Sequence, residues 1–402
     1  MELIPLSEHA PWRAFDATEA EWCDWRWQQR HAIDTIDEVE RFVQLTDDER
    51  AGITWSKTAL PFRVTPYFLS LIDPLDPRCP LRRQVIPSAA EATRHPGEFG
   101  DPLGEDSHSP APGLVHKYEG HVLLLATDRC ASYCRHCTRR RLTGRGAGGA
   151  PSLDQAIDYI ARHREIRDVL ISGGDPLLLS DDALGALLDR LRAIEHVQIL
   201  RIGTRVPAFN PMRVTPSLVE RLRRAGPLFV VTHFNHAREL APDAIAACAR
   251  LVDAGIPLDN QTVLLRSINS EAGVLKALFE KLLRARVRPY YLHQLDLAQG
   301  TEHFRTPLRT GVDILKALRG HTSGLAIPQL AVDLPGGFGK VTLGPDFVAS
   351  TSAQATFFRN WQGALCPLPY PEPAQTDCAC SGERRVVDEA DLAAERGDED
   401  LA

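Results

Sequence analysis

The chain has 402 residues and lacks an excess of basic charge, because its 53 acidic side chains outnumber its 46 Lys and Arg residues and give a net charge of −7. No positive field is therefore available to attract nucleic acid. Long hydrophobic runs are also missing, and without about 18 consecutive apolar residues a membrane-spanning helix is not expected. The first residues lack the basic and apolar segments of a secretion signal. We therefore expect a cytoplasmic protein that binds neither nucleic acid nor a membrane.

Cysteine is scarce and unevenly spread, with nine residues in the whole chain, unlike the framework of a secreted disulfide-rich domain. Three of them, Cys130, Cys134 and Cys137, follow the spacing C-x3-C-x2-C and must lie in one loop. Structural zinc sites and ordinary electron-transfer clusters have four protein ligands. Three thiolates on a four-iron cluster instead leave one iron open for a small molecule. Buried thiols, or three of four zinc ligands, are the alternative interpretations.

Strand-like and helix-like segments alternate through the middle of the chain. Seven short apolar runs begin near residues 121, 168, 197, 228, 261, 289 and 327, and intervening stretches such as 181–194 and 271–286 have helical apolar spacing. This alternation predicts a parallel sheet, as either a βα barrel or a doubly wound fold. Before it, the tryptophan-bearing start is predicted to be helical and to end in a proline-rich linker.

Eight sequence blocks, in order along the chain, resemble the radical S-adenosylmethionine (SAM) enzymes and, within them, the lysine 2,3-aminomutase family, which also uses pyridoxal 5′-phosphate (PLP). The blocks occupy residues 130–141, 172–175, 201–205, 232–236, 260–263, 288–291, 303–306 and 333–340. The resemblance implies an α/β fold with a partial (βα)6 radical-SAM barrel, a helical N-terminal extension and a C-terminal extension.

Four segments follow from this resemblance and from composition. Residues 1–114 form the helical region and its wrapping linker, and residues 115–335 form the barrel. Residues 336–383 anchor PLP and are expected to contribute to oligomerisation. Residues 384–402 form a charged tail that is expected to be mobile.

The resemblance also implies where two of the cofactors bind. The three cysteines would hold a [4Fe–4S] cluster whose open iron takes SAM. Gly173, Gly174 and Asp175 would form a platform against the methionine end of SAM, since missing side chains permit close approach. His233 and Gln261 would line the region of SAM and PLP.

Lys340 is the residue that the resemblance assigns to covalent attachment of PLP. An attached lysine must lose its proton, which burial or neighbouring cations favour. The Gly-x-Gly-Lys run is not a phosphate-binding P-loop, because Val341 stands in place of Ser or Thr. Lys117 and His121 would lie near the PLP phosphate, although His121 stands where an arginine is usual. Tyr118 is a further candidate for cofactor binding.

Three further residues imply an amino-acid substrate. Arg139 matches a position that binds the substrate carboxylate, and Asp296 and Asp333 match the pair that binds the side-chain ammonium of lysine. Glutamate-specific relatives lack these acids, so a cationic substrate is expected. The expected reaction is the 1,2-amino shift from L-lysine to β-lysine. Arginine is the alternative substrate, because His293 replaces a usual tyrosine near the cofactor and could reshape the pocket.

Other expectations concern assembly and partners. Cys378 and Cys380 are candidate zinc ligands at a subunit contact, where family members often carry four cysteines. A homo-oligomer is expected, with an electron donor such as flavodoxin or ferredoxin. A non-catalytic iron–sulfur binding or scaffold protein is the alternative of another class, although the intact cysteines and Lys340 speak against it.

Overall fold

The computed structural model describes residues 3–4, 10–144, 153–352 and 354–369. The chain divides into two compact units, Met1–Pro345 and Asp346–Ala402. The boundaries predicted from sequence stay predictions. The one at 335/336 falls in the loop between two paired strands of the first unit.

Short helices build the N-terminal region, as predicted. Threonine side chains start several of them by accepting a hydrogen bond from the backbone of the first turn, as Thr46 does from the amide of Glu49 at 3.2 Å. Trp22, Trp27 and Phe68 are buried in a cluster of their own. The α-helices are α1 Glu19–Trp22, α2 Trp25–Arg30, α3 Ile36–Val39, α4 Asp47–Ser56, α5 Pro66–Ser70 and α6 Arg82–Val85.

A nine-stranded sheet forms the rest of the first unit, in the spatial order β1 to β9. Strands β2 to β8 are parallel, whereas β1 runs antiparallel to β2 and β9 antiparallel to β8. The strands are β1 Leu114–Tyr118, β2 His121–Thr127, β3 Asp168–Gly173, β4 Ile199–Gly203, β5 Leu228–Thr232, β6 Leu258–Leu264, β7 Arg288–Gln294, β8 Gln329–Asp333 and β9 Lys340–Leu343.

Helices connect each parallel strand to the next and cover one face of the sheet. In α12 the apolar residues recur at helical spacing, and Leu275, Leu278, Phe279 and Leu282 are all buried. The helices of this region are α7 Asp154–Arg162, α8 Asp181–Arg192, α9 Val206–Phe209, α10 Pro216–Arg224, α11 Pro242–Asp253, α12 Ala272–Arg284 and α13 Leu308–Leu318. Short 3₁₀ helices occupy Pro11–Phe15, Ala89–Ala92, Asp106–His108, Pro176–Leu178, Pro211–Arg213, Ala237–Glu239, Glu302–Phe304, Gly324–Ala326 and Pro335–Gly337.

The α/β fold class is confirmed. Six strand–helix units precede a seventh parallel strand, and all seven strands expected from the apolar runs occur. The antiparallel edge strands β1 and β9 were not predicted. Within the described ranges, no helix combines the length and apolar character that crossing a membrane requires.

The second unit contains a small antiparallel sheet in the order β10-β11-β12. Its strands are β10 Val348–Thr351, β11 Ala355–Arg359 and β12 Leu365–Pro369, and β11 pairs with both neighbours. The predicted tail 384–402 lies outside the described residues.

Candidate active site

A cavity of about 860 Å³ lies on the inner face of the nine-stranded sheet. Every strand contributes a side chain to its wall, from Lys117 on β1 to Lys340 on β9. Along β2 the buried residues Leu124 and Ala126 belong to the core, whereas His121 and Leu123 are only partly buried and line the cavity. Strand alternation therefore separates an apolar core face from a lined inner face.

Most residues predicted for the site line this single cavity. They are Lys117, Tyr118, His121, Cys134, Cys137, Arg139, Gly173, His233, Gln261, Asp296, Asp333 and Lys340. Cys130, Gly174 and Asp175 do not line it. The structure thus brings together residues that are more than 200 positions apart in the sequence.

The cysteine-bearing segment, residues 128–141, is here called the cysteine loop. It follows β2 and packs on the end of β3, where the amide of Gly174 donates to the carbonyl of Thr127 at 2.5 Å. A Cβ atom on Gly173 would lie 2.3 Å from that same carbonyl oxygen, and one on Gly174 would lie 2.3 Å from the carbonyl oxygen of Arg129. The paired glycines are therefore required for the backbone of the cysteine loop to approach β3.

Asp175 supports the same region from inside the protein. Its buried carboxylate accepts hydrogen bonds from the Thr204 hydroxyl at 2.7 Å and from the Arg205 amide at 2.7 Å. The platform role toward SAM stays a prediction for Gly173, Gly174 and Asp175. Of these, Gly173 alone lines the cavity.

The three thiols of the cysteine loop are partly buried. Burial raises the pKa of Cys130 and of Cys137, and charge on the neighbouring thiols raises it further. The Arg205 guanidinium donates to the Cys134 sulfur at 2.8 Å. A positive charge at that distance stabilises a thiolate, which is the form that binds iron.

These residues fit an iron–sulfur cluster with three protein ligands. Within the described part of the chain, no three His, Cys, Asp or Glu side chains converge in a group that could hold a metal ion. Cluster ligands do not need to converge, since each thiolate of a [4Fe–4S] cluster binds its own iron. Three neighbouring thiols beside a buried arginine supply the required donors.

A second group of ionisable side chains lies on β7, β8 and β9, and we call His293, Asp333 and Lys340 the lysine cluster. Lys340 Nζ donates to Asp333 Oδ2 at 2.5 Å. His293 Nδ1 lies 3.4 Å from each of these two atoms. Burial tends to raise the pKa of Asp333, but His293 and Lys340 outweigh it and lower the pKa to about 2.

Antiparallel pairing of β8 with β9 sets Lys340 directly opposite Asp333. The loop between them needs left-handed backbone angles, and Gly336, Gly337 and Gly339 have φ of 77°, 91° and 87°. The glycine-rich run before Lys340 therefore forms a hairpin loop that positions the lysine.

Tyr118 contacts both His121, which is predicted to lie near the phosphate, and Lys340. Its ring stacks on His121 with centroids 4.6 Å apart, and its side chain is hydrogen-bonded to the backbone of Lys340. Burial and the charge of Arg201 lower the pKa of His121, so this histidine is a weak source of positive charge for a phosphate. Lys117 Nζ donates to the carbonyl of Leu103 at 2.7 Å.

The remaining predicted residues also form internal contacts. The Thr138 hydroxyl donates to Asp296, and burial raises the pKa of that carboxyl. Arg139 binds the buried carboxylate of Glu105 through two of its three nitrogens, with Nη2 at 2.8 Å from Oε1 and Nε at 2.9 Å.

His233, which follows β5, and Gln261, which lies on β6, both line the cavity. His233 Nε2 lies 3.0 Å from Asn235 Oδ1. Burial, and then the charge of Arg205, lower the pKa of His233 well below its ordinary value. The imidazole is therefore neutral at physiological pH, and its contacts with SAM or PLP stay predictions.

Two family models match the chain, the radical SAM superfamily over residues 124–272 and lysine-2,3-aminomutase over residues 315–398. The L-lysine 2,3-aminomutase of Clostridium subterminale is 46% identical over 377 residues, which cover 92% of this chain and 90% of that protein. The chain belongs to the lysine 2,3-aminomutase family.

Other members of the lysine 2,3-aminomutase family are similar over almost the same length. The L-lysine 2,3-aminomutase of Fusobacterium nucleatum is 46% identical over 359 residues, covering 89% of this chain and 84% of that protein. The glutamate 2,3-aminomutase of Clostridioides difficile is 38% identical over 361 residues, covering 89% and 85%.

Membership of the lysine 2,3-aminomutase family confirms the enzyme class and three cofactor predictions. The chain is an aminomutase-type isomerase that uses a [4Fe–4S] cluster, SAM and PLP. Cys378 and Cys380, the candidate zinc ligands, lie outside the described residues.

Sequence reasoning missed several residues that shape this site. Arg201 belongs to one of the eight blocks, yet its place on the cavity wall beside His121 depends on strand pairing. Arg205 is also in that block, and only the fold brings it to Cys134. Glu105 lies in the proline-rich segment, where no local pattern marked it as the partner of Arg139.

Proposed function

We propose that this enzyme converts L-lysine to β-lysine by moving the amino group from C2 to C3. The single observation that carries this proposal is the pair of partly buried carboxylates, Asp296 and Asp333, in the same cavity as Lys340 and Arg139. A substrate with an amino group, a carboxylate and a distal cation finds a complementary group for each part.

The bound cofactors supply the chemistry that the side chains lack: the cluster with SAM gives a carbon radical, and PLP gives a C=N bond through which nitrogen can migrate. Cys130, Cys134 and Cys137 would hold the cluster. Lys340 would hold PLP, with Lys117 and His121 near its phosphate. Arg201 lines the same wall and would add the positive charge that His121 lacks.

The α-carboxylate of the substrate is assigned to Arg139. Because Glu105 takes the N–H of Nε and one N–H of Nη2, the two N–H groups of Nη1 and the second N–H of Nη2 are the donors left for the substrate. Glu105 also fixes the guanidinium plane, so a lysine at position 139 could not hold both partners in the same geometry.

The distal cation is assigned to Asp296 and Asp333. Asp333 binds Lys340 in this structure, so a substrate ammonium would compete with Lys340 for that carboxylate. Asp296 accepts only one neutral donor, the Thr138 hydroxyl, among the contacts described here. Its pKa is raised by burial, and an ammonium nearby would stabilise the charged carboxylate.

Glutamate fits this cavity poorly, because a negative side chain would face two carboxylates in a partly dry site. Arginine is the second candidate, since a guanidinium can pair with both acids. Either cationic substrate uses the same residues, so chain length and shape must discriminate between them.

The test is an anaerobic assay of the reconstituted full chain with lysine, arginine and glutamate, followed by identification of each product. We expect β-lysine as the fastest product, little turnover of glutamate, and slower turnover of arginine. If arginine is turned over faster than lysine, the assignment of Asp296 and Asp333 to the distal cation would stand, but arginine would replace lysine as the proposed substrate. Cleavage of SAM without any amino-acid product would favour the scaffold alternative.

We also propose a small electron-transfer protein such as a flavodoxin or ferredoxin as the reductant, and a homo-oligomeric assembly. Both proposals rest on the sequence, as does cytoplasmic localisation. Reduction of the cluster by purified flavodoxin and the mass of the assembly in solution are the corresponding measurements.

A further inference from the structure

His293 has a place in the lysine cluster that the proposed roles above do not use. It lies on β7 with its side chain 14% exposed, and its Nδ1 atom is 3.4 Å from both Lys340 Nζ and Asp333 Oδ2. Its other nitrogen, Nε2, is buried and has no hydrogen-bond partner among the described residues. The ring therefore contacts the anchor lysine and its carboxylate through one nitrogen.

Two groups lie close to the amino group of Lys340. Asp333 holds the ammonium at 2.5 Å, and the face of the Tyr291 ring lies 5.4 Å from Nζ. An ammonium has no lone pair, so Lys340 must lose a proton before its nitrogen can bond to the aldehyde carbon of PLP. A base within reach of Nζ is needed for that step.

Asp333 is a poor candidate for this base, because an ordinary carboxylate holds a proton far less tightly than an imidazole does. Imidazole is the side chain that changes its charge most readily near neutral pH. The Nδ1 atom of His293 lies 3.4 Å from Lys340 Nζ, which is within reach of its proton.

We propose that His293 is the base that takes the proton from Lys340 when PLP is captured. The proposal rests on the assignment of Lys340 as the PLP anchor in the proposed function. The proton moves from Lys340 Nζ to His293 Nδ1, and the freed lone pair of Nζ bonds to the aldehyde carbon. Loss of water from the addition product then leaves the C=N bond, so no oxidant or reductant is needed.

The charges of the lysine cluster make this transfer favourable. Before it, Asp333 is paired with the Lys340 ammonium, and after it the same carboxylate faces an imidazolium whose Nδ1 atom lies 3.4 Å away. One positive and one negative charge are present in both states. Little rearrangement of the surroundings is therefore required.

Other groups that face His293 come from several elements. Asp333 on β8 and Asp296 after β7 are the acidic groups near it, and Lys340 on β9 is the basic group. Tyr291 on the same strand packs edge-on, with ring centroids 5.3 Å apart. His233 after β5 also faces it, and the pKa of His233 is lowered well below its ordinary value.

The experiment follows PLP capture by the full chain after removal of bound PLP. The rate of C=N formation is measured by visible absorbance between pH 6 and pH 9, and borohydride trapping with peptide mapping identifies the labelled lysine. His293→Gln is compared with the unmodified enzyme. His303→Gln is the matched control, because this partly buried histidine lines a different cavity.

We expect His293→Gln to slow capture at pH 7 by about tenfold or more, since general bases typically contribute at least that much. The difference should shrink as pH rises, because Lys340 then loses its proton to solvent. In His293→Ala, added imidazole should restore the rate in proportion to its concentration, and His303→Gln should behave like the unmodified enzyme.

A rate that is unchanged in His293→Gln, or that falls by the same factor at every pH, would overturn the proposal, the second result indicating a merely structural role. Failure of the proposed function looks different. Labelling of another lysine would contradict the assignment of Lys340 as the PLP anchor. If capture depends on His293 as expected but lysine is not turned over, the role of His293 would stand and the proposed substrate would be wrong.

Discussion

The cysteine loop and the lysine cluster line one cavity but are built in opposite ways. The cysteine loop carries its three cysteines within one short segment of the chain, and residues elsewhere in the sequence stabilise that segment. The lysine cluster takes one residue from each of three strands, and its geometry follows from how those strands pair. Spacing along the chain therefore defines the first site, and strand register defines the second.

The two sites also differ in what holds them in place. The N-terminal region clamps the cysteine loop, because Arg135 between the cysteines binds the buried Glu91 at 2.7 Å and its amide donates to the carbonyl of Gln84. Arg140 binds the same carboxylate. The lysine cluster is held by the β8–β9 hairpin, which packs closely on Gly104 and His108 of the N-terminal region. The buried ion pairs of Glu91 thus hold the cysteine loop, whereas close backbone packing supports the hairpin.

The largest expected effect is that a variant at one of the two sites abolishes cofactor binding there and leaves the other site intact. Cys134→Ala should prevent assembly of a complete cluster while borohydride still labels Lys340. Lys340→Ala should abolish covalent PLP labelling while iron content stays near four atoms per chain, the composition of a [4Fe–4S] cluster. Iron analysis and peptide mapping on both variants test this. Loss of both properties in either variant would show that the sites do not form independently.

Removing the carboxylate that clamps the cysteine loop should be the next largest effect. Glu91→Gln leaves Arg135 and Arg140 buried without their counter-charge, which is expected to cost about 3–5 kcal/mol of unfolding free energy. Urea unfolding measures the change. Glu280→Gln is the control, because its pair with Lys276 lies on the surface at 3.9 Å, and no measurable change is expected there.

Neutralising Asp296 or Asp333 should weaken binding of the distal cation of the substrate. A buried cation without its charged hydrogen bond costs about 1.5–3 kcal/mol, so Asp296→Asn and Asp333→Asn should each lower kcat/KM for lysine about tenfold or more. Steady-state kinetics test this. Near-native values for both variants would contradict the assignment of the distal cation, provided that cluster content is unchanged.

The smallest expected effect concerns acid stability. The pKa of Asp333 is lowered to about 2 in the folded enzyme, so its contribution is complete above about pH 4 and is lost as the pH falls toward 2. Burial raises the pKa of Asp296, so that carboxyl has the opposite dependence. Asp333→Asn should therefore flatten the loss of unfolding free energy in acid. Asp296→Asn should not, and equal slopes in the two variants would contradict the pKa difference.

The sequence by itself determined the features that depend on local chemistry. Seven strands followed from short apolar runs, because buried strands need them. The family followed from eight blocks, and the proposed cluster ligands followed from the spacing of Cys130, Cys134 and Cys137 together with that resemblance. The polar residues His121, Arg201 and Gln261 lie on the strands and line the inner cavity.

Tertiary structure alone decided which of these residues meet. Arg205 reaches Cys134, Glu105 takes two nitrogens of Arg139, and His293 touches both members of the Lys340–Asp333 pair. Each contact joins residues that are from 34 to 71 positions apart, or lie on different strands, so no local pattern marks it. Strand register and the glycine hairpin set the distances within the lysine cluster, whereas packing of loops on the sheet sets the other two contacts. The sequence therefore supplies the chemical groups, and the tertiary structure decides which of them meet.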